Sequence, residues 1–344
     1  MEEIAGETRG GTARDAPRVT VVIPTRDRWS LLPGALESAL SQRGVAVDVV
    51  VADDGSTTAP PAEVRRPGVE VVRLETSGGI AAARNAAIVR ATGEWVAFLD
   101  DDDIWAPDKL RLQIDAALGA GAPWAYATAV MVGSDGTAQY LWPLPDPERL
   151  LELLPRSNVI PAGSSNVVVA AETLDAVGGF DESFSRIADW DLWIRLAAAA
   201  TPAAVPEPLV GYRQHTANMS GGGRRALLAE FRRLEAKHRA LAVRSGVAFD
   251  RRGLVDWAER ERRRGVAARA SQELRSGRRL RAARIRLAAG VAHRDASELR
   301  QGLVLATDRL RGRGPSGQSR TETRSVEQPP WLRAHGPATG KTGA

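Results

Sequence analysis

Acidic residues concentrate at one point of this 344-residue chain, where Asp100–Asp103 form a run of four consecutive aspartates. Like charges at that density repel one another unless a positive group neutralises them. A hard divalent cation, held by one or two carboxylates and by substrate phosphates, would do so. The apolar residues before the run and Ile104 and Trp105 after it favour a half-buried cation site. A solvated acidic loop is the alternative interpretation.

Two further polar clusters follow apolar runs earlier in the chain. They are Pro24-Thr25-Arg26-Asp27 and Asp53-Asp54-Gly55-Ser56. Asp and Ser are common helix-capping residues, so a turn or a cap is the alternative interpretation of either cluster.

The elements around these clusters predict an α/β fold. Apolar runs rich in Val and Ile at 19–24, 45–52, 69–74 and 95–99 predict buried strands, and 30–41 and 79–91 have the spacing of helices. Strands that are apolar on both faces and alternate with helices are typical of a parallel sheet covered by helices. Ligands bind at the carboxyl ends of such strands, where the three polar clusters lie. Further elements are predicted at 109–118 (helix), 125–132 and 167–171 (strands) and 189–200 (helix), and the α/β pattern fades after Tyr212.

Composition divides the chain into four parts. Residues 1–16 and 312–344 are polar and rich in small residues, which predicts disorder. Residues 17–220 form the α/β domain, and 221–311 form a basic region of helices that begins with the linker-like Gly221–Gly223. The first 220 residues contain 18 basic and 30 acidic residues, whereas the rest contain 29 and 12. So sharp a change indicates two segments with different tasks.

Several function classes lack their usual signals. The chain contains no cysteine, which excludes disulfides, thiolate metal sites and thiol nucleophiles. No glycine-rich dinucleotide motif follows the first predicted strand, P-loop and hydrolase-elbow motifs are absent, and the four histidines show no zinc spacing. No apolar run is long enough for a membrane span, and the N-terminus lacks the apolar segment of a signal peptide. We therefore expect a cytoplasmic protein.

Blocks of sequence between Val19 and Ser220 resemble the family 2 glycosyltransferases. They are Val19–Arg28, Val49–Ser56, Ala83–Ile88, Gly93–Trp105, Val177–Glu182, Asp189–Arg195 and Tyr212–Ser220, in that order. The resemblance implies a GT-A fold, a Rossmann-like α/β domain that binds a nucleotide-diphospho-sugar and Mn²⁺ or Mg²⁺. It also implies that the anomeric centre is inverted in one in-line displacement.

The resemblance assigns roles by position. Thr25 and Asp54 would hold the nucleoside, with Asp54 facing the base, and Asp101 would contact the ribose. Arg84 would lie near the base or the diphosphate. Asp100–Asp102 would form the D-x-D motif, with Asp102 as the main metal ligand, and Asp189 would be the catalytic base. The implied nucleotide-sugar site comprises Pro24, Thr25, Arg26, Asp54, Arg84, Asp100 and Asp101.

Other positions near these residues have open roles. His215 would contact the metal or the diphosphate, or is a surface histidine. Trp190 and Trp193 would supply a sugar-stacking surface beside Asp189, or pack in the core. Gly163–Asn166 would belong to the acceptor pocket or form a turn. Ala188 replaces the acidic residue that usually precedes the base in this family, which leaves acceptor binding and the tuning of the base open.

The predicted activity is transfer of a sugar from a UDP-, GDP- or dTDP-sugar to a hydroxyl of a glycan, a lipid-linked glycan or a small molecule. A nucleotidyltransferase that makes nucleotide-sugars is one alternative. The other is a non-catalytic scaffold or nucleic-acid-binding protein that acts through the basic region. The arginines of that region would be solvated or would contact an anionic membrane peripherally at its inner face. No specific nucleic acid is expected, because the region lacks interleaved aromatic residues and recognised motifs.

Overall fold

The computed structural model describes residues 16–133, 136–213, 224–307 and 326–333. The strands are β1 (Arg18–Thr25), β2 (Ala46–Asp53), β3 (Val69–Arg73), β4 (Trp95–Phe98), β5 (Ile104–Trp105), β6 (Trp124–Val132), β7 (Ala138–Leu141), β8 (Val168–Ala170) and β9 (Ala203–Arg213). The helices are α1 (Leu32–Leu40), α2 (Ile80–Ile88), α3 (Lys109–Ala120), α4 (Leu150–Leu153), α5 (Ala171–Ala176), α6 (Ala188–Ala199), α7 (Arg224–Arg244), α8 (Arg251–Arg275), α9 (Arg279–His293), α10 (Ala296–Thr307) and α11 (Pro330–Arg333).

The strands form one mostly parallel sheet in the order β3-β2-β1-β4-β8-β6-β9-β5, with β7 beside β6. Parallel pairing joins β3, β2, β1 and β4, and it joins β6 to β9. The strand β8 runs antiparallel between β4 and β6, and β5 and β7 are also antiparallel to their neighbours. The predicted α/β fold with a mostly parallel sheet is confirmed.

Both faces of the sheet are buried. Within β1, Val22 packs into the core beside α2 and α6, whereas Val21 and Ile23 pack into the core beside α1 and α3. This alternation follows from the two-residue period of a strand, which turns successive side chains to opposite faces. Continuous apolar runs therefore predicted these strands correctly.

The strand β9 was not predicted. It contains Pro206 and Pro208, and proline lacks the N–H that a sheet requires, so its sequence argues against a strand. The structure accommodates both prolines where the β6–β9 register shifts, between Ala127 and Ala129. The strand matters for the site because it ends at Arg213.

The basic region is helical, as predicted, and its first helix packs against the α/β domain. Phe231 and Leu234 of α7 are buried in the same core as Trp190 of α6, and the Phe231 and Trp190 rings meet edge to face at 5.5 Å. The linker-like Gly221–Gly223 lies outside the described residues. None of the described helices is both long and apolar enough to cross a membrane.

Part of the segment predicted to be disordered packs against the sheet. Leu332 of α11 is buried with Ile104, Val130 and Val132, and Trp331 Nε1 donates a 2.8 Å hydrogen bond to the Pro208 carbonyl. Composition alone did not predict this contact, because it depends on two apolar side chains in a polar segment.

Gly93, which leads into β4, provides a test of the sheet packing. A Cβ at this position would lie 2.6 Å from the Thr20 nitrogen and 2.8 Å from the Arg18 carbonyl oxygen. Backbone cannot yield as a flexible side chain does, so Gly93→Ala should lower the free energy of unfolding by about 1–3 kcal/mol. Denaturant unfolding measures the change.

Gly119 in α3 is the control, since a Cβ there would meet nothing within 4 Å. Gly119→Ala should raise the free energy of unfolding by about 0.5 kcal/mol, because alanine restricts the unfolded chain. Equal stability of the two variants would contradict the packing described for Gly93.

Candidate active site

The run of aspartates forms the turn that follows β4, and the end of β1 reaches it. Thr25 Oγ1 donates a 2.7 Å hydrogen bond to Asp101 Oδ2. Arg28 forms an ion pair with Asp102 and lies 3.2 Å from Asp101 Oδ1. Burial raises the pKa of Asp101 to about 7, against the opposing effect of Arg28. The cluster that begins at Pro24 and the run Asp100–Asp103, both expected at carboxyl ends of strands, therefore lie in contact.

Asp103 holds this turn through buried hydrogen bonds. It is fully buried, and it accepts hydrogen bonds from Ser165 Oγ and, at 3.0 Å, from the Arg213 backbone N–H at the end of β9. Burial raises its pKa well above the usual range, and the nearby Asp102 and Asp100 raise it further. Ser165 also accepts a 3.1 Å hydrogen bond from the Asp100 N–H. The turn is thus held by buried hydrogen bonds rather than by solvation.

Carboxylate oxygens of Asp100, Asp102 and Asp103 lie within 4.8 Å of one another. Oxygen donors at this density suit a hard cation such as Mg²⁺ or Mn²⁺. The group includes Asp102, the predicted main ligand, and adds Asp103, which sequence reasoning had not assigned. Asp101, the predicted ribose contact, is directed to Thr25 and Arg28 instead of to this group.

Arg84 of α2 is a buried cation beside the same turn. Its Nη2 donates a 2.6 Å hydrogen bond to Asp100 Oδ1, and its guanidinium carbon lies 5.1 Å from the centre of the Phe180 ring. Only 3% of the residue is exposed. The resemblance to the family placed Arg84 near the donor, and the structure places it at the edge of the acidic turn.

Asp54 follows β2 and binds the N-terminus of α2. Its carboxylate accepts hydrogen bonds from Ser77 Oγ at 2.7 Å, from the Gly78 N–H at 2.8 Å and from the Gly79 N–H at 3.1 Å. Arg26 Nη1 donates to the same Ser77 hydroxyl at 2.7 Å. The carboxylate therefore holds the turn that leads into this helix, and its contact with a base stays a prediction.

Pro24 and Thr25 end β1, where they pair with Ala52 and Asp53 of β2. The predicted nucleotide-sugar residues thus lie along the carboxyl edge of β1, β2 and β4, in the turns that follow them, or on α2. His215 lies outside the described residues.

Asp189 is the second residue of α6 and lines a cavity of about 260 Å³ together with Arg84, Asp100, Asn158 and Ala188. Asn158 Nδ2 donates a 3.3 Å hydrogen bond to Asp189 Oδ2. Burial raises the pKa of Asp189, although the positive charge of Arg84 and a hydrogen bond from the Trp190 N–H oppose the shift. A raised pKa suits a carboxylate that takes up a proton.

Gly163 leaves room for the Asp189 carboxylate. A Cβ on Gly163 would lie 2.9 Å from Asp189 Oδ2, and the residue has a φ of +51°, which favours glycine. The Gly163–Asn166 segment is a single 3-10 turn before β8, and Gly163 and Ser164 line the cavity. The segment therefore forms a turn that also lines the cavity, and its part in acceptor binding stays a prediction.

The two tryptophans of α6 are core residues. Trp190 and Trp193 are fully buried, and Trp190 Nε1 donates a 2.8 Å hydrogen bond to the Leu154 carbonyl. Of the two roles that the sequence left open for them, core packing is the one observed. The aromatic side chains that line the cavity are Trp142 and Tyr212, whose rings meet edge to face at 5.7 Å.

Glu230 of α7 holds the segment that leads into α6. Its carboxylate accepts hydrogen bonds from Ser185 Oγ at 2.6 Å, from the Arg186 N–H at 3.0 Å and from the Ile187 N–H at 3.3 Å. These three residues line the cavity beside Asp189. Negative charge is favourable at a helix N-terminus, so Glu230 stabilises the start of the helix that carries Asp189. Sequence reasoning missed Glu230, because nothing in a polar helix 43 to 45 residues downstream indicates this contact.

A second buried carboxylate fastens α7 to α6. Asp191 lies 2.8 Å from His238 Nε2 and from Lys237 Nζ, and Arg195 Nη2 donates to it at 2.7 Å. Burial alone would raise the pKa of Asp191, but the hydrogen bond to His238 and the charge of Arg195 outweigh it and lower the pKa. Helix α7 therefore holds the segment before α6 through Glu230, and it holds α6 itself through Asp191, two positions beyond the predicted base.

Two family models match this chain in succession. "Glycosyl transferase family 2" matches residues 20–163, and "Glycosyltransferase like family 2" matches residues 149–243. The chain belongs to glycosyltransferase family 2. The second match extends past the expected boundary at residue 220 and includes nearly all of α7.

Two relatives agree with this membership. The succinoglycan biosynthesis protein ExoO of Rhizobium meliloti is 35% identical over 212 residues, which cover 58% of this chain and 61% of ExoO. The pre-mycofactocin glycosyltransferase of Mycobacterium tuberculosis is 33% identical over 211 residues, 58% of this chain and 43% of that protein. This chain therefore matches less than two thirds of the length of either relative.

The fold is similar to that of S. aureus TarS. The crystal structure of TarS residues 1–349 in complex with UDP-GlcNAc gives a TM-score of 0.53 at 18% identity, and the match covers 85% of this chain and 92% of that one. At this identity the comparison shows the shared GT-A fold.

Removal of the Glu230 carboxylate tests its role at the start of α6. Glu230→Ala leaves the Arg186 and Ile187 N–H groups without their acceptor, and a buried donor without a partner costs about 1–3 kcal/mol. Denaturant unfolding should show a loss of that size. Glu235→Ala is the matched control in the same helix, because Glu235 pairs with the exposed Arg251, and it should cost less than about 1 kcal/mol. A loss no larger for Glu230→Ala than for Glu235→Ala would contradict the assignment.

Proposed function

We propose that this protein transfers a sugar from a nucleotide-diphospho-sugar to a hydroxyl group of an acceptor, with inversion at the anomeric carbon. One observation carries the proposal: Arg84 and Asp100 of the predicted donor site and Asp189, the predicted base, line one cavity. Transfer in a single displacement requires the donor and the base to meet in this way, with the acceptor between them.

The donor site combines backbone turns and charged side chains at the carboxyl ends of β1, β2 and β4. Thr25, Asp54 and Asp101 would hold the nucleoside, with Pro24 and Arg26 beside them. TarS has been crystallised with UDP and with UDP-GlcNAc. UDP-sugars are therefore the first donors to test, ahead of GDP- and dTDP-sugars.

The leaving group is a nucleoside diphosphate, on which negative charge develops as the glycosidic bond breaks. Asp100, Asp102 and Asp103 fit a divalent cation by their oxygen donors and their mutual spacing. Bound there, Mn²⁺ or Mg²⁺ would act as a Lewis acid on the phosphate oxygens. Arg28 and Arg84 already contribute positive charge at the same turn. These residues therefore hold the donor and neutralise its leaving group.

Asp189 takes the proton that the acceptor hydroxyl loses as it attacks. Its carboxylate faces a cavity, its pKa is raised by burial, and Asn158 orients one of its oxygens. A base at this position indicates a hydroxyl acceptor, because a phosphate acceptor is already ionised and would need none. A saccharide, a lipid-linked glycan and a small molecule all provide such a hydroxyl. A lipid-linked acceptor would also bring the enzyme to an anionic membrane surface, one of the two roles left open for the arginines of the basic region.

Replacement of the base separates binding from catalysis. Asp189→Asn keeps the size of the side chain and part of its hydrogen bonding but cannot accept the proton. Donor affinity in calorimetry should stay close to that of the wild type, while transfer should fall by roughly 10²–10⁴-fold. The control Asp175→Asn, an exposed aspartate of α5, should transfer at the wild-type rate. Near-wild-type turnover of Asp189→Asn would exclude Asp189 as the catalytic base.

The pH dependence provides an independent test of the same base. The deprotonated carboxylate is the active form, and burial raises its pKa above the usual range for aspartate. The wild-type kcat/KM should therefore rise with pH through this raised pKa and level off above it. For Asp189→Asn, kcat/KM should not rise with pH in this range. A rise that persisted in the variant would show that another group is the one that titrates.

Metal dependence tests the acidic turn. Asp102→Ala should abolish the increase in UDP affinity that Mn²⁺ produces in calorimetry, because it removes one of the three clustered carboxylates. Asp108→Ala is the control, since this aspartate follows the turn and pairs with the exposed Arg43. Unchanged Mn²⁺ dependence in Asp102→Ala would exclude Asp102 from the metal site.

A further inference from the structure

The hairpin of α9 and α10 presents apolar side chains to solvent. Leu280 and Val291 of α9 are 55% and 72% exposed, and Leu303 of α10 is 55% exposed. Leu280, Arg284, Leu287 and Val291 follow one another at helical spacing, which places them on one face of α9. We call this stripe, together with Leu303 and Ala306 of α10, the hairpin face.

The exposed members of the hairpin face, Leu280 and Val291, are not the residues that close the contact between the two helices. The two helices meet at glycines: a Cβ on Gly290 would lie 2.6 Å from Leu299 Cγ, and one on Gly302 would lie 2.7 Å from Leu287 Cγ. Leu287 and Leu299 fill this close contact. Leu280, Ala283, Leu287, Val291 and Ala306 in turn line an open groove of about 640 Å³. The exposed apolar area is thus a surface feature of a closely packed pair of helices.

The charge around the hairpin face is positive. The carboxylates of α10 and of the turn before it are buried and paired, Glu298 with Arg286 at 2.8 Å and Asp295 with Arg263 at 3.1 Å. The sequence from 279 to 307 contains no other acidic residue. Four arginines of the hairpin are exposed: Arg281, Arg284, Arg294 and Arg300. Among the described residues of the hairpin, the exposed charge is therefore cationic.

We propose that the hairpin face is a peripheral docking surface for an anionic lipid bilayer. Exposed leucine and valine side chains would enter the boundary between headgroups and acyl chains, and the arginines would pair with lipid phosphates. This combination of apolar centre and cationic surroundings does not fit nucleic acid, whose outer surface is phosphate. A second copy of the chain fits poorly as well, because a symmetric contact would bring the same arginines together. The proposal does not depend on the transfer reaction.

Sedimentation of the full chain with lipid vesicles tests the proposal. The protein should pellet with vesicles of equal parts phosphatidylcholine and phosphatidylglycerol, stay in solution with phosphatidylcholine alone, and dissociate at high salt. Leu280→Gln with Val291→Gln should reduce binding at least tenfold. Arg281→Gln with Arg284→Gln should also reduce it about tenfold or more, since each basic residue contributes on the order of 1 kcal/mol.

The matched control places the same change on the α/β domain. Val89 and Leu118 are 83% and 50% exposed, and Val89→Gln with Leu118→Gln should bind vesicles as the wild type does. All variants should keep the wild-type unfolding midpoint, because every changed side chain is exposed. Vesicle binding that the hairpin variants retain, or no binding by the wild type, would overturn the proposal. A concentration-dependent dimer in light scattering that the Leu280 and Val291 changes abolish would assign the face to a second copy.

Discussion

The site depends on how four consecutive carboxylates are held at the end of one strand. Charges this close are tolerated at low exposure only if hydrogen bonds and cations compensate them. Each compensating group comes from a different part of the chain: Thr25 and Arg28 from the end of β1, Arg84 from α2, Ser165 from the turn before β8, and Arg213 from the end of β9. The arrangement of the sheet, with β1 beside β4 and β9 returning to β6, is what assembles them.

Arg213 illustrates how local packing serves this constraint. Its backbone N–H binds Asp103, and its side chain donates to the Asp102 carbonyl. The guanidinium passes over Gly34 of α1, where a Cβ would lie 3.2 Å from its terminal nitrogens. Helix α1, which begins just after β1, thus leaves space at Gly34 for the side chain of Arg213, although Arg213 lies nearly two hundred positions further along the chain. The turn of aspartates is fixed only when the last strand of the sheet is in place.

Much of this architecture could be predicted from the sequence, and the limits have physical causes. Buried parallel strands are continuous apolar runs, so β1, β2 and β4 and the polar residues at their ends were found directly. The strand β9 was missed because its prolines contradict the usual pattern. From the sequence, core packing of Trp190 and Trp193 could not be distinguished from a ligand-stacking role, because an apolar stripe on a helix is compatible with either. Glu230 was missed for a different reason: a carboxylate that binds backbone N–H groups of a distant segment leaves no sequence pattern.

Trp331 and Leu332 limit how far the chain can be shortened from its C-terminal side. Leu332 covers Ile104, Val130 and Val132 at one end of the sheet, and Trp331 binds the backbone of β9. Ile104 belongs to β5, the terminal strand in the order of the sheet. Strands at the edge of a sheet associate with other chains when their apolar side chains are left uncovered. The described part of the C-terminal segment, Trp331 and Leu332 among it, thus covers this end of the sheet, and a chain shortened before Trp331 is expected to self-associate more readily.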